Sequence, residues 1–337
     1  MKFPIPPQYS SQLYRAIAFV ALGATLSLVF GCSKAKREPI RIGINPWPGY
    51  EFIYLAKEMG FFEAERVNVQ VLEFTSLGDT RRAFERGQLD GMGGTLAELL
   101  EAWEQSDRSP QAIYVCDFSN GGDVILTQPE IHNVAGLKGK RVGIESGSLN
   151  TFVLARALEK HGLDLEDISL MAMSQIHMEK AFRSHEIDAA VTYPPISINI
   201  LNTSKANQVF STRNIPGEVL DILAIDQSTI AEREEDIVRI IRAFDRAVQY
   251  SKEHPEDAYR IMAEREGISA EEFRIAIEEG IHMVTLQEQG PFFEPGGKLE
   301  TAIKYMDQVM RKVGQLKGTD HTADCVASQP VARASAK

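Results

Sequence analysis

Apolar positions between residues 40 and 192 follow a repeated order of short strand, loop and helix. Ile40–Ile44 is an apolar run that ends in a loop rich in proline and glycine. A helix is predicted over Tyr50–Met59, because Gly60 follows as a stop signal. Valines then alternate with polar residues over 67–71, which is typical of a strand. Strands that alternate with helices favour a parallel sheet.

The order of strand, loop and helix repeats in the following segments and then gives way to a purely helical pattern. The spacing of apolar residues predicts helices over Thr80–Arg86, Asn150–Lys160 and Ile176–Arg183, and strands over Gly91–Gly94, Arg141–Ile144, Ile168–Met171 and Ala189–Val191. From about Ser228 the pattern is purely helical. The apolar face of this helical segment is expected to pack on the first lobe of the protein.

A repeat of about one hundred residues is the strongest signal in the chain. Arg41-Ile42-Gly43-Ile44 returns as Arg141-Val142-Gly143-Ile144, and Ala83-Phe84 with Leu89-Asp90 returns as Ala181-Phe182 with Ile187-Asp188. Two similar α/β units predict two similar lobes. A cleft between the lobes is then the expected functional site.

The repeat sets the expected domain boundaries. Residues 40–123 together with 225–317 are predicted to form lobe 1, and residues 124–224 lobe 2. The chain is expected to cross between the lobes near Gly121–Val124 and near Val219–Ile225. Residues 318–337 show no apolar period and are predicted to be a disordered tail.

The N-terminus has the pattern of a bacterial lipoprotein signal peptide, predicted to span residues 1–31. Lys2 and Arg15 precede an apolar run over Ala16–Phe30, which is shorter than the roughly 20 residues of a spanning helix. Val29-Phe30-Gly31-Cys32 resembles a bacterial lipobox, and Cys32 is the predicted lipidation site. The alternative to a lipoprotein signal peptide is an ordinary signal anchor. Residues 32–39 are the predicted tether, and the mature protein is expected in the periplasm or at the cell surface, lipid-anchored to the membrane.

The net charge of the chain limits the classes of partner that we expect. The chain has 337 residues and a formal net charge of −11, which disfavours nucleic acid and anionic lipid as partners. Contact with the membrane is therefore expected through the lipid anchor only.

Cys116 lies in an apolar strand pattern and is interpreted as a core residue. A bridge between Cys116 and Cys325 stays open as an alternative in an oxidising compartment.

Motifs of familiar catalytic and cofactor sites are missing from the sequence. The chain contains no phosphate loop, no GxGxxG and no GxSxG, and its seven histidines have no metal-ligand spacing. We therefore expect no cofactor, no metal site and no enzymatic activity.

Candidate ligand contacts lie in loops at the carboxyl ends of strands, where α/β lobes bind ligands. The first loop carries Asn45, Trp47 and Tyr50, whose aromatic rings could hold a flat or apolar part of a ligand. The alternative is that both rings fix the loop to its own helix. The second loop carries Gly94 and Thr95, and helix capping alone would explain Thr95.

The matching loop of the second unit is rich in small hydroxyl residues. Ser146, Ser148 and Asn150 stand at a predicted helix start, where backbone N–H groups are exposed. The repeat places this loop opposite the loop of Trp47, although N-capping is again the simpler explanation. Tyr193 is a further candidate contact. Asp123 is a weaker candidate, with a place in the hinge turn alone as the alternative.

The charge of these loops constrains the ligand. Loops 45–50, 91–95, 118–123, 145–150 and 192–197 contain no lysine or arginine, although a strong anion usually recruits a guanidinium. Glu145 could instead face an amine. We therefore expect a small polar ligand that is neutral, zwitterionic or heterocyclic.

The chain from about Ile40 to Val313 resembles the nitrate/taurine/sulfonate-type solute-binding proteins of bacterial ABC importers, which include binders of thiamine precursors. The matching stretches are Ile42–Tyr50, Ala56–Phe62, Gly87–Asp90, Gly139–Gly143 and Ile187–Val191. The resemblance implies a two-lobed α/β periplasmic-binding-protein fold of type II, with a mostly parallel sheet flanked by helices in each lobe and an extra C-terminal helical segment on lobe 1.

The resemblance also implies a function and partners. A monomeric, non-enzymatic protein would close on a small molecule by hinge motion and deliver it to a permease and an ATPase. In the family, an aromatic residue of the first loop and the serine-rich helix start contact the ligand, which carries over to Trp47, Tyr50, Ser146, Ser148 and Asn150. A sensor module or an enzyme that uses the same cleft are the alternatives.

Overall fold

The computed structural model describes residues 37–336 of the chain. The predicted signal peptide, Cys32 and most of the predicted tether therefore lie outside the described residues. The strands are β1 (Ile40–Ile44), β2 (Val69–Glu73), β3 (Gly91–Thr95), β4 (Pro110–Ser119), β5 (Val124–Thr127), β6 (Arg141–Ile144), β7 (Ser169–Ala172), β8 (Ala189–Thr192), β9 (Asn207–Ser211), β10 (Leu220–Asp226) and β11 (Ile281–Met283).

Helices flank these strands along the whole described chain. They are α1 (Glu51–Glu58), α2 (Phe61–Ala64), α3 (Leu77–Glu85), α4 (Leu96–Gln105), α5 (Leu149–Lys160), α6 (Gln175–Arg183), α7 (Ile196–Thr203), α8 (Gln227–Glu253), α9 (Pro255–Glu266), α10 (Ala270–Gly280), α11 (Gly290–Phe293), α12 (Lys298–Lys312) and α13 (Ser328–Ser335). Short 3₁₀ turns lie at Val134–Leu137, Leu165–Asp167, Thr212–Asn214 and Leu286–Glu288.

The strands form one sheet in each lobe. The sheet of lobe 1 has the order β11-β4-β10-β3-β1-β2, and the sheet of lobe 2 has the order β7-β6-β8-β5-β9. The predicted α/β fold class is thus present. The expectation of mostly parallel sheets is corrected, because only β2-β1-β3 and β7-β6-β8 are parallel. The strands that carry the chain between the lobes, β4, β5, β9 and β10, join the sheets in antiparallel pairs.

The sequence repeat corresponds to the same ion pair in both lobes. Arg41 at the start of β1 donates from its backbone N and its Nε to Asp90 Oδ2, at 2.8 and 3.0 Å. Arg141 at the start of β6 makes the same two bonds to Asp188 Oδ2, at 2.8 and 3.1 Å. In each lobe, a bidentate pair of this kind fixes the first strand to the turn before the third strand.

The glycine in the middle of each first strand is also repeated for a steric reason. A Cβ on Gly43 would lie 2.4 Å from Leu89 Cδ1, and a Cβ on Gly143 would lie 2.7 Å from Ile187 Cδ1. The side chain before the third strand therefore packs directly on the backbone of the first strand. Arginine, glycine, apolar residue and aspartate recur together because they form one packing unit.

Two short segments connect the lobes. The first is 120–123, between β4 and β5, and the second is 212–219, between β9 and β10. The second crossing was predicted a few residues too late, since β10 already lies in the sheet of lobe 1 between β3 and β4. Thr212 joins the two crossings, because its Oγ1 lies 2.7 Å from Ser119 Oγ and accepts the Gly121 N–H at 2.7 Å.

The C-terminal helices cover lobe 1, as predicted. Ile237, Ile241 and Phe244 on α8 are fully buried, and α8 packs on α1 and on the strands β4 and β10. Helix α12 reaches further, since Lys312 Nζ lies 2.7 Å from Glu159 Oε1 on α5 of lobe 2.

The predicted disordered tail is ordered from residue 318 to 336. Cys325, Val331 and Ala334 are buried, and α13 packs along α8. Arg333 on α13 pairs with Glu234 and Glu235. The apolar spacing of this short helix rests on small residues, so a search for large apolar side chains could not find it. Cys116 and Cys325 are both buried and free.

Candidate functional site

A small cavity lies where the two lobes meet, at the carboxyl ends of β1, β3 and β8. Its walls are formed by Asn45, Trp47, Leu77, Thr95, Asp123, Leu149, Tyr193 and Asp221. Leu149 and Tyr193 come from lobe 2, and Asp123 is the last residue of the first crossing. The cavity has about 170 Å³ of empty space, none of it wide enough to hold a water molecule. The lobes are therefore tightly closed over it.

Two aromatic rings from different lobes meet at the cavity. The rings of Trp47 and Tyr193 lie 6.0 Å apart between centroids, edge to face at 80°. Trp47 Nε1 donates to the carboxylate of Asp117 on β4, at 3.3 Å to Oδ1 and 3.4 Å to Oδ2. The indole is thus held in orientation by a buried acid.

Asp117 and Asp221 lie opposite each other on the antiparallel strands β4 and β10. The Tyr50 hydroxyl donates to Asp221 Oδ1 at 2.5 Å. A Cβ on Gly49 would lie 1.8 Å from Asp117 Oδ2, so the loop can approach this acid only because residue 49 is glycine. Tyr50, Gly49 and Trp47 of the first loop therefore all contact the acid pair behind the cavity.

The buried acids hold their protons more tightly than usual. Burial raises the pKa of Asp123 to about 7 and the pKa of Asp117 to about 8, and hydrogen bonds from Ser119 and Trp47 offset only part of this. Burial and the charge of Asp117 raise the pKa of Asp221 well above its usual value. Burial also raises the pKa of Glu145 to about 7.

Hydrogen bonds cross directly from lobe 1 to lobe 2 around the cavity. The Ser76 hydroxyl donates to Glu145 Oε1 at 2.5 Å, and the Leu77 N–H donates to the Tyr193 hydroxyl at 3.4 Å. The Leu149 N–H at the start of α5 donates to Glu98 Oε1 at 3.0 Å. These bonds are specific to the closed arrangement of the lobes.

The structure brings four of the predicted site residues to the cavity wall: Asn45, Trp47, Thr95 and Tyr193. Thr95 also caps α4, where its side chain accepts the Ala97 N–H at 3.1 Å and donates to Glu98 Oε2 at 2.5 Å. The capping alternative therefore accounts for the Thr95 hydroxyl.

The other predicted residues lie outside the wall. Tyr50 and Gly94 are buried behind it, and the side chain of Ser146 is exposed to solvent. Ser148 caps α5 and donates to the Glu145 carbonyl at 2.8 Å. Asn150 Oδ1 accepts from Glu145 N and Gln175 Nε2. The apolar Leu149 between them lines the cavity.

Sequence reasoning missed Asp117 and Asp221. A signal was available, because each is a single charged residue within an apolar run, Ile113–Phe118 and Val219–Ile225. An isolated charge in a buried strand is costly, so its presence indicates a function. Leu77 and Leu149 carried no signal, since leucines at helix starts are common in cores.

In the part of the chain that the structure describes, the cavity wall carries no cationic side chain and no cluster of metal-binding side chains. The cavity wall contains no lysine or arginine, in keeping with the loop analysis. Within residues 37–336, no group of three or more histidine, cysteine or carboxylate side chains could hold a metal ion. A wider, open groove with about 640 Å³ of water-accessible space lies between α11, α12 and the second crossing, and it contains none of the predicted site residues.

Solved structures share this architecture. The alkanesulfonate-binding protein SsuA from Xanthomonas axonopodis pv. citri, bound to MOPS, superposes with a TM-score of 0.70 at 17% identity, over 87% of this chain and 99% of its own. The desulfurization enzyme DSZB has a TM-score of 0.65 at 14% identity, over 87% and 98% of the two chains. The fold is therefore that of the two-lobed periplasmic binding proteins, and it also occurs in an enzyme.

The sequence defines the family more narrowly. Residues 47–258 match the family described as NMT1/THI5 like, and the chain belongs to it. A protein of Brucella abortus (strain 2308) named as a binding protein is 27% identical over 255 residues, 73% of this chain and 77% of its own. A protein of Bacillus subtilis (strain 168) named as binding aliphatic sulfonates is 25% identical over 265 residues, 72% and 74% of the two chains. Among the described residues, no helix is long and apolar enough to span a membrane.

Proposed function

We propose that the protein is the extracytoplasmic substrate-binding component of an ABC importer, which captures a small polar, zwitterionic or heterocyclic molecule between its lobes. The observation that carries this proposal is the closed cavity at the strand ends, with Trp47 from one lobe against Tyr193 from the other. Membership of the NMT1/THI5-like family and the binding function named for two relatives support it.

Hinge motion would load the site. The two crossings are short and are tied together at Thr212, so they form a single narrow connection about which the lobes can rotate. Opening would break a few hydrogen bonds, from Ser76, Leu77 and Leu149. A ligand that contacts both lobes would favour the closed form, and a permease that recognises this form would receive loaded protein.

The location of the protein belongs to the same proposal. A signal peptide over residues 1–31 and a lipid on Cys32 would anchor a monomer to the membrane surface, with residues 32–39 as the tether. This arrangement would hold the lobes near the permease and its ATPase. It rests on the sequence, because residues 1–36 lie outside the described structure.

Native mass spectrometry of the protein purified from its own cells tests the binding role. We expect one unmodified small molecule bound per chain, which is lost in Trp47→Ala. The chain offers a matched control, because its other tryptophan, Trp103, stacks on His321 away from the cavity, at 4.6 Å between ring centroids. Trp103→Ala should keep the bound molecule.

Three outcomes would contradict the proposal. Loss of the bound molecule only in Trp103→Ala would place the ligand elsewhere. A chemically altered bound molecule would favour an enzyme, for which the shared fold of DSZB provides a precedent. A chain that never carries a small molecule would contradict a substrate-binding component.

A further inference from the structure

Oxygen atoms without hydrogen-bond donors line the interlobe cavity. Within residues 37–336, Asn45 Oδ1, Asp123 Oδ2 and Asp221 Oδ2 are buried and have no hydrogen-bond partner. All three side chains belong to the cavity wall, and each is at most 2% exposed. Buried polar groups are almost always paired, so three unpaired acceptors around one cavity indicate a ligand that donates.

Donors in the same wall are already used. Trp47 Nε1 is bonded to Asp117, and the Thr95 hydroxyl is bonded to Glu98. None of the buried nitrogen atoms that lack a partner in the described chain belongs to the cavity wall. The Tyr193 hydroxyl accepts from Leu77 N and keeps its own proton for a ligand. Among its described side chains, the wall thus offers three unpaired oxygen acceptors and one hydroxyl donor.

Acidic groups surround this wall, and basic groups near it are paired. In addition to burial, the charges of Asp117, Asp123 and Glu98 raise the pKa of Asp221, and the charge of Glu98 raises the pKa of Asp123. On α3, which reaches the cavity through Leu77, Arg81 pairs with Glu85 and Arg82 pairs with Asp79. An anion placed in the cavity would face acidic groups without a compensating cation, and it would oppose the ionisation of those acids.

We propose that the ligand is a nitrogenous cation, such as an amine, amidine or guanidine, whose N–H groups donate to Asn45, Asp123 and Asp221. This proposal rests on the binding role proposed above and names the class of its ligand. The apolar or flat part of the molecule lies against the rings of Trp47 and Tyr193, where an aromatic face also attracts a cation. A bound cation stabilises the ionised form of these buried acids on closure. The sulfonate named for the Bacillus subtilis relative has the opposite charge.

Binding of a cation is coupled to the release of a proton. Asp123 has a pKa of about 7 in the closed protein, raised by burial and by the charge of Glu98. The other titratable groups that face it are Asp117, Asp221 and Tyr193, and none of them is cationic. A bound cation favours the ionised carboxylate, so affinity rises with pH. For one group of this pKa, the rise between pH 6 and pH 8 is about tenfold.

A thermal-shift screen sorted by charge tests this proposal. The probes share one frame and differ in charge, as in benzamidinium, benzamide and benzoate or butylammonium, butanol and butanesulfonate, each with substituted relatives. We expect stabilising compounds in the cationic class. Calorimetry of the best of them should show affinity that rises about tenfold from pH 6 to pH 8.

Two matched variants test whether Asp123 is the group that couples cation binding to pH. Asp123→Asn keeps the shape of the protonated acid, and we expect it to weaken cation binding about tenfold and to remove most of the pH dependence. Asp107→Asn removes the same charge from an exposed loop before β4. It should change neither the affinity for the cation nor the pH dependence of that affinity. Stabilisation by the anions or equally by all three classes would overturn the cationic ligand, while the binding role would stand. A screen without any stabilising compound would contradict the binding role itself, and the cationic ligand with it.

Discussion

Asp123→Asn should change the pH dependence of folding stability in a way that can be calculated from the structure. Asp123 is 1% exposed, and its pKa is raised from an ordinary value near 3.8 to about 7, mainly by burial. The folded protein therefore binds a proton at this site that the unfolded chain releases above about pH 4. A raised pKa contributes stability at low pH, and this contribution is lost as pH rises through 7.

The size of the effect follows from linkage. For one carboxyl with these two pKa values, the folded protein loses roughly 2–3 kcal/mol between pH 5 and pH 8, where one pKa unit corresponds to about 1.4 kcal/mol. Asparagine resembles the protonated acid and has no charge to bury. Asp123→Asn should thus be nearly neutral below about pH 4, stabilising by roughly 1.5 kcal/mol at pH 5 and by roughly 4 kcal/mol at pH 8. Asp117 and Glu145 keep their own dependence of the same sign.

Urea unfolding at pH 5, 6, 7 and 8, followed by circular dichroism, measures this directly. The experiment compares the wild type, Asp123→Asn and the exposed control Asp107→Asn. We expect the wild type and the control to lose stability together as the pH rises, and Asp123→Asn to lose less. Equal slopes for all three proteins, or destabilisation of Asp123→Asn at pH 8, would refute a buried acid that is protonated in the folded state.

Three further predictions concern the site and the anchor. Gly49→Ala should destabilise the fold by more than about 2 kcal/mol in thermal unfolding, because its Cβ would lie 1.8 Å from Asp117 Oδ2; an unchanged melting temperature would show that this contact is not close. Tyr193→Phe should leave stability within about 1 kcal/mol but weaken ligand binding several-fold, because it removes a cross-lobe bond to Leu77 and a hydroxyl donor; calorimetry that gives the wild-type affinity would contradict this. Cys32→Ser should move the protein from the membrane to the soluble fraction on cell fractionation, and continued retention in the membrane would exclude lipidation at Cys32.

The sequence was sufficient for the parts of the fold that rest on local patterns. The bounds of β1 and β6 agree with the prediction to the residue, since an apolar run between polar residues marks them. The repeat of Arg41 and Asp90 as Arg141 and Asp188 reflects one ion pair formed twice. The antiparallel pairing of β4 with β10 escaped prediction, because strand order is set by pairing between distant segments.

The site was predictable in outline only. Strand-end loops indicated Asn45, Trp47, Thr95 and Tyr193, which line the cavity. Ser146, by contrast, satisfies the same sequence rule and is exposed, because a helix start can face solvent as readily as a ligand. The acid pair behind the cavity depends on the register of β4 against β10, which brings Asp117 opposite Asp221. No short-range pattern encodes that register.

The central claim is that the lobes close on a guest molecule, and the distance between them tests it most directly. Spin labels at Glu63→Cys on lobe 1 and Lys160→Cys on lobe 2 lie on exposed positions, and the native Cys116 and Cys325 are buried. Pulsed electron paramagnetic resonance should compare protein purified with its bound molecule and protein stripped by unfolding and refolding. We predict a short, narrow distance for the loaded protein and a longer, broader one for the stripped protein. One identical distance in both samples would contradict closure on a ligand.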